Sequence, residues 1–125
     1  MATYKDKMKN LIPLLLLLTT VPALAAEPVI EQVAVTRTGS ETYRFSVTIR
    51  HPDTGWDHYA DGWRILDMEG KELGIRVLFH PHETEQPFTR SLDGVVIPAG
   101  AKQVQVQARD LPDGWNKSVT VVNLP

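Results

Sequence analysis

The chain is 125 residues long and contains no cysteine, which excludes disulfide bonds, thiol catalysis and cysteine-ligated metal centres. Lys and Arg total 13 against 15 Asp and Glu, and beyond residue 25 the balance is 10 basic to 14 acidic residues. This mildly acidic character argues against nucleic acid or an anionic membrane surface as a partner.

Residues 1–25 have the pattern of a secretory signal peptide. Lysines lie at positions 5, 7 and 9, an apolar run follows from Leu11 to Val21, and small residues follow the run. That run is too short for a membrane-spanning helix, which needs roughly 20 residues. We expect cleavage after Ala25 or Ala26, export to the periplasm, no membrane span after cleavage, and no lipid anchor because no cysteine follows the run. An uncleaved N-terminal anchor is the alternative.

The rest of the chain alternates short apolar segments with turn residues. In the clearest segment Val104, Val106 and Ala108 alternate with polar residues, a period of two that is typical of a strand with one buried face. No segment has helical spacing. We predict seven strands, over Val29–Arg37, Tyr43–Arg50, Gly62–Met68, Leu73–Phe79, Phe88–Ile97, Gln103–Arg109 and Ser118–Leu124.

Individual side chains can also be assigned to the core from this pattern. Trp63 and Phe88 are predicted to be buried. In the fourth strand the apolar face is expected to turn inward, and it carries Leu73, Ile75, Val77 and Phe79. Gly74, Arg76 and Leu78 would then lie on the other face.

Seven short strands separated by turn signals predict a single all-β domain over residues 26–125. The strand count and pattern resemble the seven-stranded antiparallel sandwich of immunoglobulin and fibronectin type III domains, although the immunoglobulin cysteine pair is absent. The segments His51–Asp61, His80–His82 and Glu85–Arg90 are similar to a group of small exported proteobacterial proteins of unassigned activity. This resemblance implies no catalytic or binding residues.

Antiparallel neighbours place alternate loops at the same end of such a domain. The second-to-third, fourth-to-fifth and sixth-to-seventh connections would share one end, while the turns at the other end are chemically plain. The shared end would receive all four histidines, together with most of the chemically versatile side chains. These residues are His51, Asp53, Trp56, Asp57, His58, Tyr59, Asp61, His80, His82, Glu83, Glu85, Asp110, Asp113 and Trp115.

One hypothesis for this end is a metal site. His80 and His82 are two residues apart, which in an extended segment places both side chains on one face with about 6.5–7 Å of chain between them, so that both rings could reach one ion. His51 or His58 would supply a further nitrogen, and an oxygen would come from Asp57, Asp61 or Glu83. Such donors favour Cu²⁺ or Zn²⁺ and exclude a blue-copper centre, which needs a thiolate.

Other interpretations of the histidines remain open. Both His51 and His80 precede proline, and a His-Pro pair can simply end a strand, because the residue before proline is held extended. Each histidine would then only order a loop through hydrogen bonds. A pocket for a ligand other than a metal is the third interpretation.

The aromatic residues at the same end indicate recognition. Trp56, Tyr59 and Trp115, with Asp57 and Asp61, would form a surface for a protein partner or a small ligand. The alternative is that the rings cover the end of the core. We therefore expect a periplasmic, non-enzymatic binding module, with Cu²⁺ or Zn²⁺ binding as the alternative function and an exposed edge strand as a further docking mode.

Enzymatic activity is the least favoured class. Nucleophilic catalysis needs a hydroxyl or thiol beside a base, and Ser118 is the serine expected nearest to the histidines. Arg90 is expected to bond Asp57 or Asp61 and so to order the same end.

Overall fold

The computed structural model describes residues 26–125, and the predicted signal peptide lies outside this range. Within the described residues the protein is all-β, with no helix and two antiparallel sheets, which confirms the predicted class. A search of the same residues finds no helix with the length and apolarity needed to span a membrane. The strands are β1 (Val29–Arg37), β2 (Thr42–Arg50), β3 (Tyr59–Leu66), β4 (Glu72–Val77), β5 (Phe88–Val96), β6 (Gln103–Leu111), β7 (Gly114–Trp115) and β8 (Thr120–Asn123).

The strands divide into a three-stranded and a five-stranded sheet. The first has the order β1-β2-β5, and the second has the order β4-β3-β6-β7 with β8 also paired to β6. The described residues thus contain eight strands rather than seven, because Trp115 and Gly114 pair with Arg109 and Asp110 before the chain reaches β8. The predicted last strand is correspondingly shorter, and β3 begins earlier, at Tyr59.

The core lies between the inner faces of the two sheets. Alternate residues of β2 and β6 are buried, as their period of two predicts, and Phe45, Val104 and Val106 are fully buried. Trp63 and Phe88 also lie in this core, which confirms their assignment. Complete burial of one such side chain contributes roughly 1.5–3 kcal/mol to stability.

The predicted inner face of the fourth strand is confirmed for Leu73, which packs against the core, but is wrong for Ile75 and Phe79. Leu78 is buried, whereas Phe79 is 72% exposed and Ile75 lies at the surface. A side chain at Gly74 would begin 3.1 Å from Leu92 and 3.4 Å from Val95, so the glycine face is the one turned toward the other sheet. The edge strand β4 therefore approaches β5 where a glycine leaves room; Leu73 packs against the core, whereas Ile75 turns outward.

Loop contacts define the two ends of the sandwich. At one end His51 contacts Asp110, and Asp53 contacts His82, so the loops after β2, β4 and β6 converge. We call this end, formed by residues 51–58, 78–87 and 110–119, the histidine end. The opposite end carries the turns that follow β1, β3 and β5.

Candidate functional site

The centre of the histidine end is a buried histidine between two carboxylates. His51 directly follows β2, and its Nδ1 lies 2.6 Å from Oδ1 of Asp53. Its Nε2 lies 3.1 Å from Oδ2 of Asp110, a residue near the end of β6. All three side chains are almost fully excluded from solvent. One imidazole therefore joins two separate segments of the chain inside the protein.

Asp53 connects this histidine to two further segments. Its Oδ1 also accepts a hydrogen bond from the backbone N–H of Ala60 at 2.9 Å, and its Oδ2 accepts one from the backbone N–H of His82 at 2.8 Å. The backbone N–H of Asp53 donates to the carbonyl of His51 at 2.8 Å, and this tight turn directs the Asp53 side chain inward. These hydrogen bonds offset the cost of burying the Asp53 carboxylate, and they order the surrounding loops.

Two opposing effects act on the pKa of the Asp110 carboxyl. Burial raises the pKa of the Asp110 carboxyl and nearby Asp113 adds to that effect, while His51 acts in the opposite direction. With Nδ1 of His51 donating to Asp53, the contact at Nε2 requires a proton on that nitrogen or on the Asp110 carboxyl. The buried histidine and Asp110 thus share one exchangeable proton position.

His58 approaches the same centre from a tight loop. The backbone N–H of Thr54 donates to the carbonyl of His58 at 2.9 Å, and the N–H of His58 donates to Gly55 at 3.1 Å. The His58 ring lies 4.9 Å from the His51 ring. Donor atoms of His51, His58 and Asp110 all lie within 4.8 Å of one another, so this group could hold a metal ion.

His80 and His82 lie beside this group with different partners. Their rings are 4.5 Å apart, and the His82 ring stacks on Phe88 at 3.9 Å with an interplanar angle of 9°. Nε2 of His82 accepts from the guanidinium of Arg90 at 2.9 Å. Burial lowers the pKa of His82, and the charges of Arg90 and His80 lower it further. In residues 26–125, the group of three close donors does not include this pair.

The predicted aromatic residues divide between two places. Trp56 is 68% exposed and meets Tyr59 edge-on with ring centroids 5.9 Å apart. Trp115 instead packs under two guanidinium groups, with Cζ of Arg64 at 3.9 Å and Cζ of Arg109 at 4.9 Å from its ring centre. The loop pair Trp56 and Tyr59 is thus available to a partner, whereas Trp115 is partly covered by arginine.

The acidic residues predicted for the site also differ in environment. Asp57 is exposed, and Asp61 lies 3.3 Å from Nε of Arg109. The expected pairing of Arg90 with Asp57 or Asp61 is wrong, since Arg90 pairs with Glu85 at 3.2 Å. The reason is topological, because Arg90 belongs to the three-stranded sheet and Asp61 to the other sheet.

Ser118 does not approach the histidines. Its hydroxyl donates to the carboxylate of Glu27 at 3.1 Å, on the exposed segment before β8. The hydroxyl that does contact a histidine in the described residues is that of Thr54, 3.3 Å from Nδ1 of His58.

Two clefts flank the ends of the sandwich. One of about 390 Å³ lies beside the buried carboxylate, and it is lined by Glu27, Asp110, Asp113, Gly114, Trp115, Asn116 and Lys117. Another of about 400 Å³ lies at the opposite end, between the turn at 67–69 and residues 97–104. Only the first cleft adjoins the cluster of histidines and carboxylates.

Sequence reasoning placed Asp53 and Asp110 at the histidine end but did not select them as site residues. A usable signal existed for Asp110. The period of two that buries Val104, Val106 and Ala108 in β6 continues to position 110 and puts a carboxylate on the inner face. A carboxylate at a core position needs a partner, and His51 is that partner.

Comparison with known proteins gives one relative. A protein of the haloarchaeon Halomicrobium mukohataei, described as "Putative lipoprotein", is 38% identical over 91 residues. The match covers 73% of this chain and 44% of the relative, so the chain spans less than half of that protein's length. No family model matches the chain, and no solved structure matches it. The relative is archaeal, so the resemblance to proteobacterial proteins stays a prediction.

Proposed function

We propose that this chain is an exported, non-enzymatic binding module that recognises a protein partner or a small ligand through the histidine end. The observation that carries the proposal is Trp56, a large aromatic side chain that is 68% exposed on a loop held by buried hydrogen bonds. Exposed aromatic anchors on ordered loops are the residues that contribute most to binding energy in protein interfaces.

The loop that carries Trp56 is ordered from both sides. Asp53 holds its beginning through His51 and its end through the backbone of Ala60. Little loop entropy would be lost on binding, because the backbone is already held in one conformation. Tyr59 adds a second ring beside Trp56, and the exposed Asp57 carboxylate lies between the two in sequence. These residues suit a partner with an apolar group flanked by a donor or a positive charge.

The fold part of the proposal is an immunoglobulin-like sandwich of the fibronectin type III kind. Its support is the strand order, in which β1, β2 and β5 form one sheet and β3, β6 and β8 belong to the other. The pairing of β4 with β3, and not with β5, favours the fibronectin type over the immunoglobulin constant type.

Export to the periplasm with cleavage after Ala25 or Ala26 is also part of the proposal. The pattern of residues 1–25 supports it, as does the description of the haloarchaeal relative as a lipoprotein.

A photo-activatable cross-linking residue at position 56 tests the recognition function in the cells that make the protein. We expect a discrete cross-linked product from position 56 and none from position 68, where Met68 is 49% exposed at the opposite end. The Tyr59→Ala variant should weaken the product formed from position 56. Equal products from positions 56 and 68, or none from either, would contradict recognition through the histidine end.

Binding of Zn²⁺ or Cu²⁺ is a second candidate function at this end. The observation that favours it is the approach of His51, His58 and Asp110, which offer two imidazoles and a carboxylate. Nitrogen and oxygen donors of this kind suit both ions.

A further inference from the structure

We infer that His51, His58 and Asp110 form a three-donor Zn²⁺ or Cu²⁺ site whose open coordination position accepts an imidazole or carboxylate from a partner. The inference rests on the proposed metal-binding function and names its ligands and the group that the metal would recognise. It also leaves His80 and His82 out of the coordination sphere.

The distance between two of the donors fits a shared ion. Nε2 of His51 and Oδ2 of Asp110 are 3.1 Å apart. Two ligands at roughly 2.0–2.2 Å from a tetrahedral Zn²⁺ lie roughly 3–3.5 Å from each other. A donor atom of His58 also lies within 4.8 Å of the other two residues' donor atoms, so binding an ion would require the half-buried His58 ring to move closer.

The hydrogen bonds behind the donors match those of metal-binding histidines. Asp53 lies on Nδ1 of His51, and by accepting the N–H there it would leave the Nε2 lone pair to a metal ion beside Asp110. Metal-bound histidines almost always donate their second ring N–H to a carboxylate, a carbonyl or water in this way. Thr54 similarly contacts Nδ1 of His58 and orients that ring.

The other two histidines are occupied differently. Nε2 of His82 accepts from Arg90, and a cation at that nitrogen would have to displace a guanidinium group. The His82 ring also stacks flat on Phe88, which restricts its rotation. His80 is exposed, and its Nδ1 lies 3.2 Å from the carbonyl of Pro81. His80 therefore provides a matched control at the same end of the domain.

Three protein donors leave the fourth position of a tetrahedral ion open. Asp110 lines a cleft of about 390 Å³, and this is the side from which an external group would approach the cluster. The groups that Zn²⁺ and Cu²⁺ prefer there are an imidazole nitrogen or a carboxylate oxygen. A bound metal would thus add a strong, specific contact to the recognition surface of the histidine end.

Calorimetric titration of the metal-stripped protein with Zn²⁺ tests the ligand set in wild type, His58→Ala and His80→Ala. We expect saturable one-to-one binding in wild type and His80→Ala. In His58→Ala we expect affinity to fall by more than the roughly 10–100-fold loss that follows removal of a residue that only hydrogen-bonds a metal ligand. Circular dichroism of the three proteins verifies that each is folded.

Electron paramagnetic resonance of the Cu²⁺ form counts the nitrogen ligands directly. Two coupled nitrogens are expected in wild type and His80→Ala, and one in His58→Ala. Addition of imidazole to the wild-type Cu²⁺ form should add one further coupled nitrogen, because the open position is filled.

The outcomes separate this inference from the function on which it rests. If wild type binds neither ion saturably, metal binding and the inference fail together. If His80→Ala loses affinity while His58→Ala retains it, metal binding stands and the ligand set is wrong. If imidazole leaves the nitrogen count unchanged, the open position is refuted.

Discussion

Nδ1 of His51 lies 2.6 Å from Oδ1 of Asp53, and both side chains are fully buried. This pair is local in sequence, yet its carboxylate also receives the backbone N–H groups of Ala60 and His82. One side chain thereby links the loop after β2, the start of β3 and the loop after β4. We therefore expect the order of the histidine end to depend on this carboxylate.

Replacement of Asp53 by Asn should therefore be strongly destabilising. The amide keeps the size of the side chain but brings an NH₂ group against N–H donors, and removal of one partner from a buried charged pair costs about 3–5 kcal/mol. Urea denaturation in the presence of a chelator measures this free energy of unfolding. The control is Asp57→Asn at an exposed position, where a change within about 0.5 kcal/mol is expected. Equal effects of the two substitutions would show that the buried network contributes little.

Stability should fall as the pH falls, in part because of His82. Burial, Arg90 and His80 lower the pKa of His82 in the folded protein, while Asp53 and Glu85 oppose them. The unfolded chain then takes up this proton first, near the ordinary value of about 6.5, so the free energy of unfolding decreases as the pH falls below that value.

Urea denaturation of metal-free protein from about pH 7.5 to about pH 5.5 follows this loss. His82→Gln should lose less stability over the same interval, because the glutamine side chain does not titrate. His80→Ala is the matched control, since it removes an exposed histidine from the same loop. An identical pH dependence in wild type and His82→Gln would mean that His82 does not contribute.

Truncation of two tryptophans should change the free energy of unfolding by very different amounts. Trp63 is fully buried in the core, and Trp63→Ala is expected to cost about 3–5 kcal/mol of unfolding free energy through the cavity that it leaves. Trp56 is 68% exposed, and Trp56→Ala should change stability by no more than about 0.5 kcal/mol. Denaturant unfolding monitored by circular dichroism compares them. A large loss for Trp56→Ala would mean that this ring supports the fold, and the case for a binding role would weaken.

Gly74 is expected to tolerate no branched side chain. Its Cβ position lies 3.1 Å from Leu92 and 3.4 Å from Val95, so Gly74→Val should overpack the space between the sheets at a cost of about 1–3 kcal/mol. Ile75→Val, on the exposed face of the same strand, should be within about 0.5 kcal/mol of wild type. Thermal unfolding of both variants tests the orientation of β4. If Ile75→Val were the more damaging change, the outward face would be misassigned.

The sequence predicted the strands well where alternation was regular. The bounds of β1 agree with the prediction, and β2, β5 and β6 differ from it by one or two residues at an end. In β4 the predicted orientation of Ile75 was wrong, because Gly74 has no side chain to mark its face as the inner one. The convergence of His51, His58, His80 and His82 was predictable from strand parity alone. Which of them would be buried, paired or stacked was not.

By itself, then, the amino-acid sequence determined the all-β class and the gathering of histidines at one end, since both follow from periodicity and antiparallel order. Only the tertiary structure decided the chemistry of that end. It seats His51 between Asp53 and Asp110, places His82 against Arg90, and leaves Trp56 exposed. The physical reason is that burial and hydrogen bonding at this end depend on contacts between distant parts of the chain, such as that of His51 with Asp110, 59 positions away, which no local pattern encodes.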